Sequence, residues 1–239
     1  MVRRRHHLSM TYCGRDGPLF PRRSTSKSID RKNALCLPCQ TPSPVFDRSK
    51  MPYNDRYYRR HRHEYHEWEK RLATDFFTRY DVRSVVDLGC GVGSYLDAAH
   101  DMGIAPLKGY EINLSIANCY IPEHLRQFIS SDDITSALPG GGFDCSWSVE
   151  VGEHIQPEGT EQFVSNLVNL TRRLTLLSCA PPGQRGTAHI NLRPKEEWVE
   201  LMTRHGMRYL PTEVDHTVSH WSSLGAPSYI LRNLMIFSK

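Results

Sequence analysis

The stretch VVDLGCGVGSYL, residues 85 to 96, leaves this chain few folds to choose from. An apolar run with an acid near its end reads as a strand. Gly89, Gly91 and Gly93 follow, and then a helical pattern begins. Glycines in such a turn let the backbone twist sharply and let a ligand approach the main chain. Glu111 stands 18 residues past Gly93, at the end of the next apolar run. There a carboxylate can accept both hydroxyls of a ribose. The combination predicts a nucleoside-containing ligand at the carboxyl edge of an α/β sheet.

Short apolar runs and helical patterns alternate through the rest of the chain. SVVDL (84 to 88), LKGYEI (107 to 112), FISSD (128 to 132), FDCSWSV (143 to 149), LTLLSC (174 to 179), MRYL (207 to 210) and LRNLMIFS (231 to 238) read as seven strands. Helices are expected from Ser94 to Met102, around Phe163, Val164, Leu167, Val168 and Leu170, over PKEEWVELMTRHG with Gly206 as its cap, and over TEVDHTVSHWSSL. Ahead of them Tyr58, Tyr65, Trp68, Leu72, Phe76 and Tyr80 recur at helical spacing, predicting an amphipathic helix of about 25 residues from Asn54. Its other face, RRHRH, reads as solvated. Strands alternating with helices imply crossovers, hence a Rossmann-like, mainly parallel sheet covered on both faces.

Charge separates the chain into two parts. Residues 1 to 50 hold eleven Lys/Arg against three Asp/Glu, whereas residues 51 to 239 hold 19 against 23. The acidic balance of the larger part gives no argument for nucleic-acid binding by the fold. The first part, rich in Arg, Ser and Pro, reads as a disordered basic tail outside a domain of residues 51 to 239. It also has the composition of an organelle-targeting segment, and the abrupt change at Met51 fits a true start there. Seven cysteines without an even framework suit a reducing, cytoplasmic setting. Cys36 and Cys39 have metal spacing, but no second well-spaced pair accompanies them, so incidental thiols fit better than zinc. No run approaches the ~18 apolar residues of a membrane span. Oligomeric state is not legible.

The glycine turn also speaks to the ligand. A dinucleotide fingerprint starting at Gly89 needs glycine at position 94, which is Ser; one starting at Gly91 needs it at 96, which is Leu. Asp87, two residues before the turn, would repel a pyrophosphate. It suits a ligand with an ammonium and a sulfonium and no phosphate. On DLGCGVG, Glu111 and the order of elements over roughly residues 54 to 239, the chain resembles the class I S-adenosylmethionine-dependent methyltransferases. The resemblance implies a seven-stranded sheet whose last strand is antiparallel. It also implies a cofactor site of Asp87, Gly89, Gly91, Gly93, Glu111 with Ile112 beside it, Asp133 in SDDIT for the adenine amine, and Val149.

Methyl transfer needs a nucleophile held behind the sulfonium methyl and, where required, a base. EVGEHI (150 to 155) follows the fourth strand, so Glu150, Glu153 and His154 fall beside the reacting carbon. If a helix starts there, all three share one face. The loop CAPPGQRGTAHIN (179 to 191) adds His189 and Asn191. Glu150, His154 and His189 are therefore the candidate catalytic residues. No [DN]-P-P-[FY] follows the fourth strand and no Pro-Cys loop appears, which weighs against amide, exocyclic-amine and carbon-5 cytosine methylation.

E-x-x-E-H is similar to a pattern in quinone-biosynthesis O-methyltransferases and in small-RNA 2′-O-methyltransferases. In the latter it implies a divalent metal, here on Glu150, Glu153, His154 and His189. The leading expectation is O-methylation of a small molecule or glycan-like metabolite, without an obligatory metal. The alternatives are a metal-dependent RNA 2′-O-methyltransferase, disfavoured by the acidic domain, and a non-catalytic module that only binds the cofactor.

Overall fold

A computed structural model describes residues 53–239. The basic tail and the Cys36/Cys39 pair lie outside the described residues.

The seven expected strands form one sheet in the order β3-β2-β1-β4-β5-β7-β6. They are β1 (Val85–Leu88), β2 (Leu107–Tyr110), β3 (Ile129–Ser130), β4 (Phe143–Val149), β5 (Thr171–Ser178), β6 (Arg208–Tyr209) and β7 (Leu234–Ser238). Pairs β2–β3, β1–β2, β1–β4 and β4–β5 are parallel, and β7 runs antiparallel to β5 and β6. The helices are α1 (Asp55–Arg60), α2 (His66–Arg79), α3 (Ser94–Asp101), α4 (Leu114–Ala117), α5 (Thr160–Leu170), α6 (Lys195–Arg204), α7 (Pro211–Ser223) and α8 (Ser228–Asn233).

Strand alternation makes two cores. Val85, Cys145, Trp147, Leu176, Leu234 and Ile236 pack against Leu72, Phe76 and Phe77 of α2, Leu96 of α3 and Trp221 of α7. Val86, Leu88, Leu177, Met235 and Phe237 pack against Phe163 and Leu167 of α5 and Trp198 and Met202 of α6. Side chains of period two on strands both of whose faces are covered give this arrangement. Strand order reverses between β1 and β4, so the crevice at their carboxyl ends is where such a sheet takes a ligand.

Three expectations need correction. The first helix is not one uninterrupted α-helix: a π-turn, His61–Tyr65, separates α1 from α2. The residue it absorbs puts Tyr58 and His66, eight apart, on the same inward face, and Glu69 becomes buried as well. LRN of LRNLMIFS ends α8, and β7 begins only at Leu234. EVGEHI starts no α-helix. Glu150 adopts φ +54° and Gly152–His154 make one 3-10 turn, so Glu150, Glu153 and His154 do not share a helix face. Among the described residues no helix is long and apolar enough to cross a membrane.

Candidate active site

The carboxyl ends of β1 and β2 bring four of the predicted cofactor residues together. Asp87 is 1% exposed, and its Oδ2 has no hydrogen-bond partner. Burial, with Glu69 and Glu111 nearby, pushes its carboxyl well above the usual range. An orphaned buried carboxylate costs several kcal/mol, on the order of 1–3 or more, unless a donor or cation meets it. Gly89 and Gly91 both need positive φ, +81° and +53°. A Cβ at Gly89 would stand 2.5 Å from the Val151 side chain, whereas one at Gly91 would meet nothing within 4 Å. The loop is therefore packed on its inner side and open over Gly91, a cradle a ligand can fill.

Glu111 closes the far end of that cradle. Its Oε2 accepts from the Gly91 N–H at 3.0 Å; its Oε1 accepts from Asn113 N–H at 2.9 Å and from the Tyr58 hydroxyl at 2.8 Å. Burial pushes its carboxyl up while those bonds pull it down. Ile112 is half-buried beside it. Gly93 caps the start of α3 with φ +79°. Asp133 lies exposed at the end of β3, where its Oδ1 accepts from Thr135 N–H at 2.8 Å and Thr135 Oγ1 at 2.7 Å. Val149 is half-buried at the end of β4.

At the end of β4, three of the four possible ligating residues converge. Glu153 is fully buried and neither carboxylate oxygen has a hydrogen-bond partner. Its Oε1 lies 3.9 Å from His154 Nε2 and 4.0 Å from His189 Nε2. Both imidazoles are oriented from behind: His154 Nδ1 meets the Ala188 carbonyl at 3.1 Å, and His189 Nδ1 meets the Gln184 carbonyl at 3.0 Å. A carbonyl only accepts, so Nδ1 carries the proton in each neutral ring and both Nε2 lone pairs are left free. Burial, and then the neighbouring Glu150, push Glu153 up to about 8. Burial takes His154 down to about 4, against the pull of its bond to Ala188, so it is neutral at pH 7.

Glu150 is placed differently from the other three. Its Oε1 accepts from Ser178 Oγ at 2.5 Å and Asn233 Nδ2 at 3.0 Å, and its Oε2 from Gln184 Nε2 at 2.8 Å. It ties β5, the 179–191 loop and α8 to one point. Asn191 is also a brace: its Nδ2 donates to the Gly152 carbonyl at 3.1 Å and to Thr160 Oγ1 at 2.9 Å, holding the 3-10 turn.

Some residues of this edge escaped the sequence. Tyr53 stands edge-on to His154 with ring centroids 5.4 Å apart, and its buried hydroxyl has no partner. Tyr58 covers Glu111. Gly186 passes so close to the His189 ring that any Cβ there would collide with it. Only the glycine itself, in GQRG, hinted at that approach.

No family model matches the chain. A probable chloroplastic tocopherol O-methyltransferase of Oryza sativa subsp. japonica is 31% identical over 127 residues, 48% of this chain and 32% of that protein. The chloroplastic tocopherol O-methyltransferase of Arabidopsis thaliana is 31% identical over 137 residues, 52% of this chain and 36% of that one. The chain thus spans about a third of the length of these curated relatives. In structure it is similar to a sugar N-methyltransferase of Streptoalloteichus sp. ATCC 53650, with TM-score 0.55 and 14% identity over 85% of this chain and 99% of that one. The fold is the class I methyltransferase fold. Within it, β1, the glycine turn and Glu111 occupy the crevice at the reversal of strand order.

Proposed function

We propose that this protein is an S-adenosylmethionine-dependent methyltransferase that methylates a hydroxyl of a small molecule. The observation that carries the reading is Asp87's orphaned, buried carboxylate beside the open Gly91 cradle, with Glu111 at the end of the next strand. Those groups fit a ligand that ends in a ribose on one side and a cation on the other. Asp133 and Val149 would line its adenine and methionine parts. When bound, the cofactor supplies a methyl group on a positively charged sulfur. The fold and the two O-methyltransferase relatives support the same class.

The chain's own part is to place an acceptor oxygen and remove its proton. His154, neutral and with Nε2 free, accepts the acceptor's O–H hydrogen bond and takes the proton as the oxygen is methylated. Glu153 beside it, once ionised, compensates the imidazolium charge. Tyr53 walls the site from the N-terminal side. Glu150 acts through position, holding the loop that carries His189. Phenolic small molecules are the first acceptor class to try, because the relatives' names carry such a compound.

A second reading draws on one specific observation. Glu153, His154 and His189 offer one ligand atom each, all within 4.8 Å of one another, and both rings are oriented by backbone carbonyls. That donor set fits a divalent metal, which these three residues would hold and which would act as a Lewis acid on the acceptor oxygen. The decisive assay uses the full chain, S-adenosylmethionine and a panel of phenols, with and without EDTA, reading S-adenosylhomocysteine release. Turnover indifferent to EDTA supports the metal-free route; loss of turnover restored by Mg²⁺ or Mn²⁺ supports the metal. Cofactor binding without turnover on any acceptor supports a non-catalytic module, and absence of binding sinks the proposal. A targeting role for residues 1 to 50 fits the chloroplastic location in the relatives' names; a fluorescent fusion of that segment that stays diffuse counts against it.

A further inference from the structure

The π-turn ahead of α2 has a chemical consequence. It turns His66 and Glu69 into the seam between α2 and α3, where charged residues of an amphipathic helix are seldom found. His66 is fully committed there: Nδ1 meets Ser94 Oγ at 2.9 Å and Nε2 meets Asp97 Oδ2 at 2.8 Å. Lys70 is committed as well, its Nζ donating to Asp97 at 2.8 Å and Asp101 at 2.7 Å. The two basic side chains nearest Glu69 along its helix, His66 and Lys70, are thus both engaged by Asp97. Among the described residues no ion pair reaches Glu69 or Asp87, and Asp87 Oδ2 has no partner of any kind.

The titratable groups within electrostatic reach of Glu69 come from four elements. They are Asp87 of β1, Tyr57 of α1, Tyr95 of α3 and Tyr229 of α8, none of them a cation. Glu69, one turn past the His66 that bonds Ser94 just after the glycine turn, and Asp87 at the end of β1 are thus two buried acids that no ion pair offsets. We infer that Glu69 is a second carboxylate of the cofactor site, joining Asp87 to grip the α-ammonium at the amino-acid end of the ligand. The inference rests on the cofactor reading proposed above. An ammonium brings three N–H donors, which an unpartnered carboxylate oxygen requires. The sulfonium brings charge but no donor, so it leaves that oxygen unsatisfied. Burial pushes Glu69 up to about 7, so near neutrality part of the free protein holds a proton there that the bound cation displaces.

Calorimetry with three probes tests this on the full chain: S-adenosylmethionine, S-adenosylhomocysteine, which has the ammonium but no sulfonium, and 5′-methylthioadenosine, which has neither. Glu69→Gln is expected to weaken the first two alike, by roughly 10- to 100-fold, and to leave the third within about twofold. Wild-type affinity for S-adenosylhomocysteine is expected to fall as pH drops from 7.5 to 6, and less steeply in Glu69→Gln. Loss confined to S-adenosylmethionine would move Glu69 to the sulfonium and overturn the assignment. Equal loss on all three would make its role structural, and no loss would remove it from the site; either overturns the inference and leaves the cofactor reading standing. Failure of the wild type to bind any of the three would sink both.

Discussion

Each glycine of the turn does a different job, and substitution separates them. Gly89→Ala forces a Cβ into Val151 at a positive φ and is expected to destabilise the fold by about 2 kcal/mol or more. Gly91→Ala meets no neighbour, so about 1 kcal/mol of backbone strain is the expected cost. Its methyl enters the cradle, and cofactor affinity should drop by more than stability does. Denaturant melts beside calorimetric titrations separate the two. Glu153 carries a pH signature. Because its carboxyl is pushed up to about 8, the ionised form that supports His154 grows in between pH 6 and 8.5. Turnover should rise through that window, and Glu153→Gln should be slower by at least tenfold with the limb gone. A wild-type profile flat over this range would refute the assigned role. The residues named from sequence at the glycine turn were legible because a positive-φ turn after a strand admits little but glycine. Glu69 was not, since a glutamate in a helical pattern ordinarily reads as a solvated face.

At the scale of elements, the sequence showed where strands lie better than how they end. FDCSWSV is β4 to the residue, because Phe143, Cys145, Trp147 and Val149 recur at the period of two that marks a strand. EVGEHI looked like a helix start because its spacing fits i, i+3, i+4. The actual turn depends on Asn191 and on Glu150's bonds to Ser178 and Asn233, partners 28 to 83 residues away, which no local pattern reports. LRN reads as strand for the same reason, although its leucine and asparagine belong to a short helix whose Asn233 reaches back to Glu150. Asn191→Ala removes the two hydrogen bonds Nδ2 donates to Gly152 and Thr160 and the one Oδ1 accepts from Arg193, and is expected to destabilise the protein by about 1–3 kcal/mol. Hydrogen exchange of the Ile190 and Asn191 amides, both bonded to the Glu153 carbonyl, should accelerate with it. Unchanged protection there would show that the turn stands without its brace.

For the molecule as a whole, buried acids dominate the carboxyl edge of the sheet. Asp87, Glu69, Glu111 and Glu153 are all buried and all held above the usual carboxylate range. A carboxyl whose folded pKa is raised contributes stability below its unfolded value that is lost as pH rises toward the folded one. Between about pH 4.5 and 7, Glu69→Gln should therefore gain stability relative to the ligand-free wild type, as chemical denaturation at several pH values would show. A cationic ligand offsets the same penalty, which joins stability to function in this fold. The most direct test of that claim is the titration of the full chain with S-adenosylmethionine, wild type beside Asp87→Ala, with a melting curve for each. One molecule bound per chain, a raised melting temperature and loss of both in a still-folded Asp87→Ala are the predicted results. A folded wild type that binds none, or a variant that binds as well as wild type, would contradict the account.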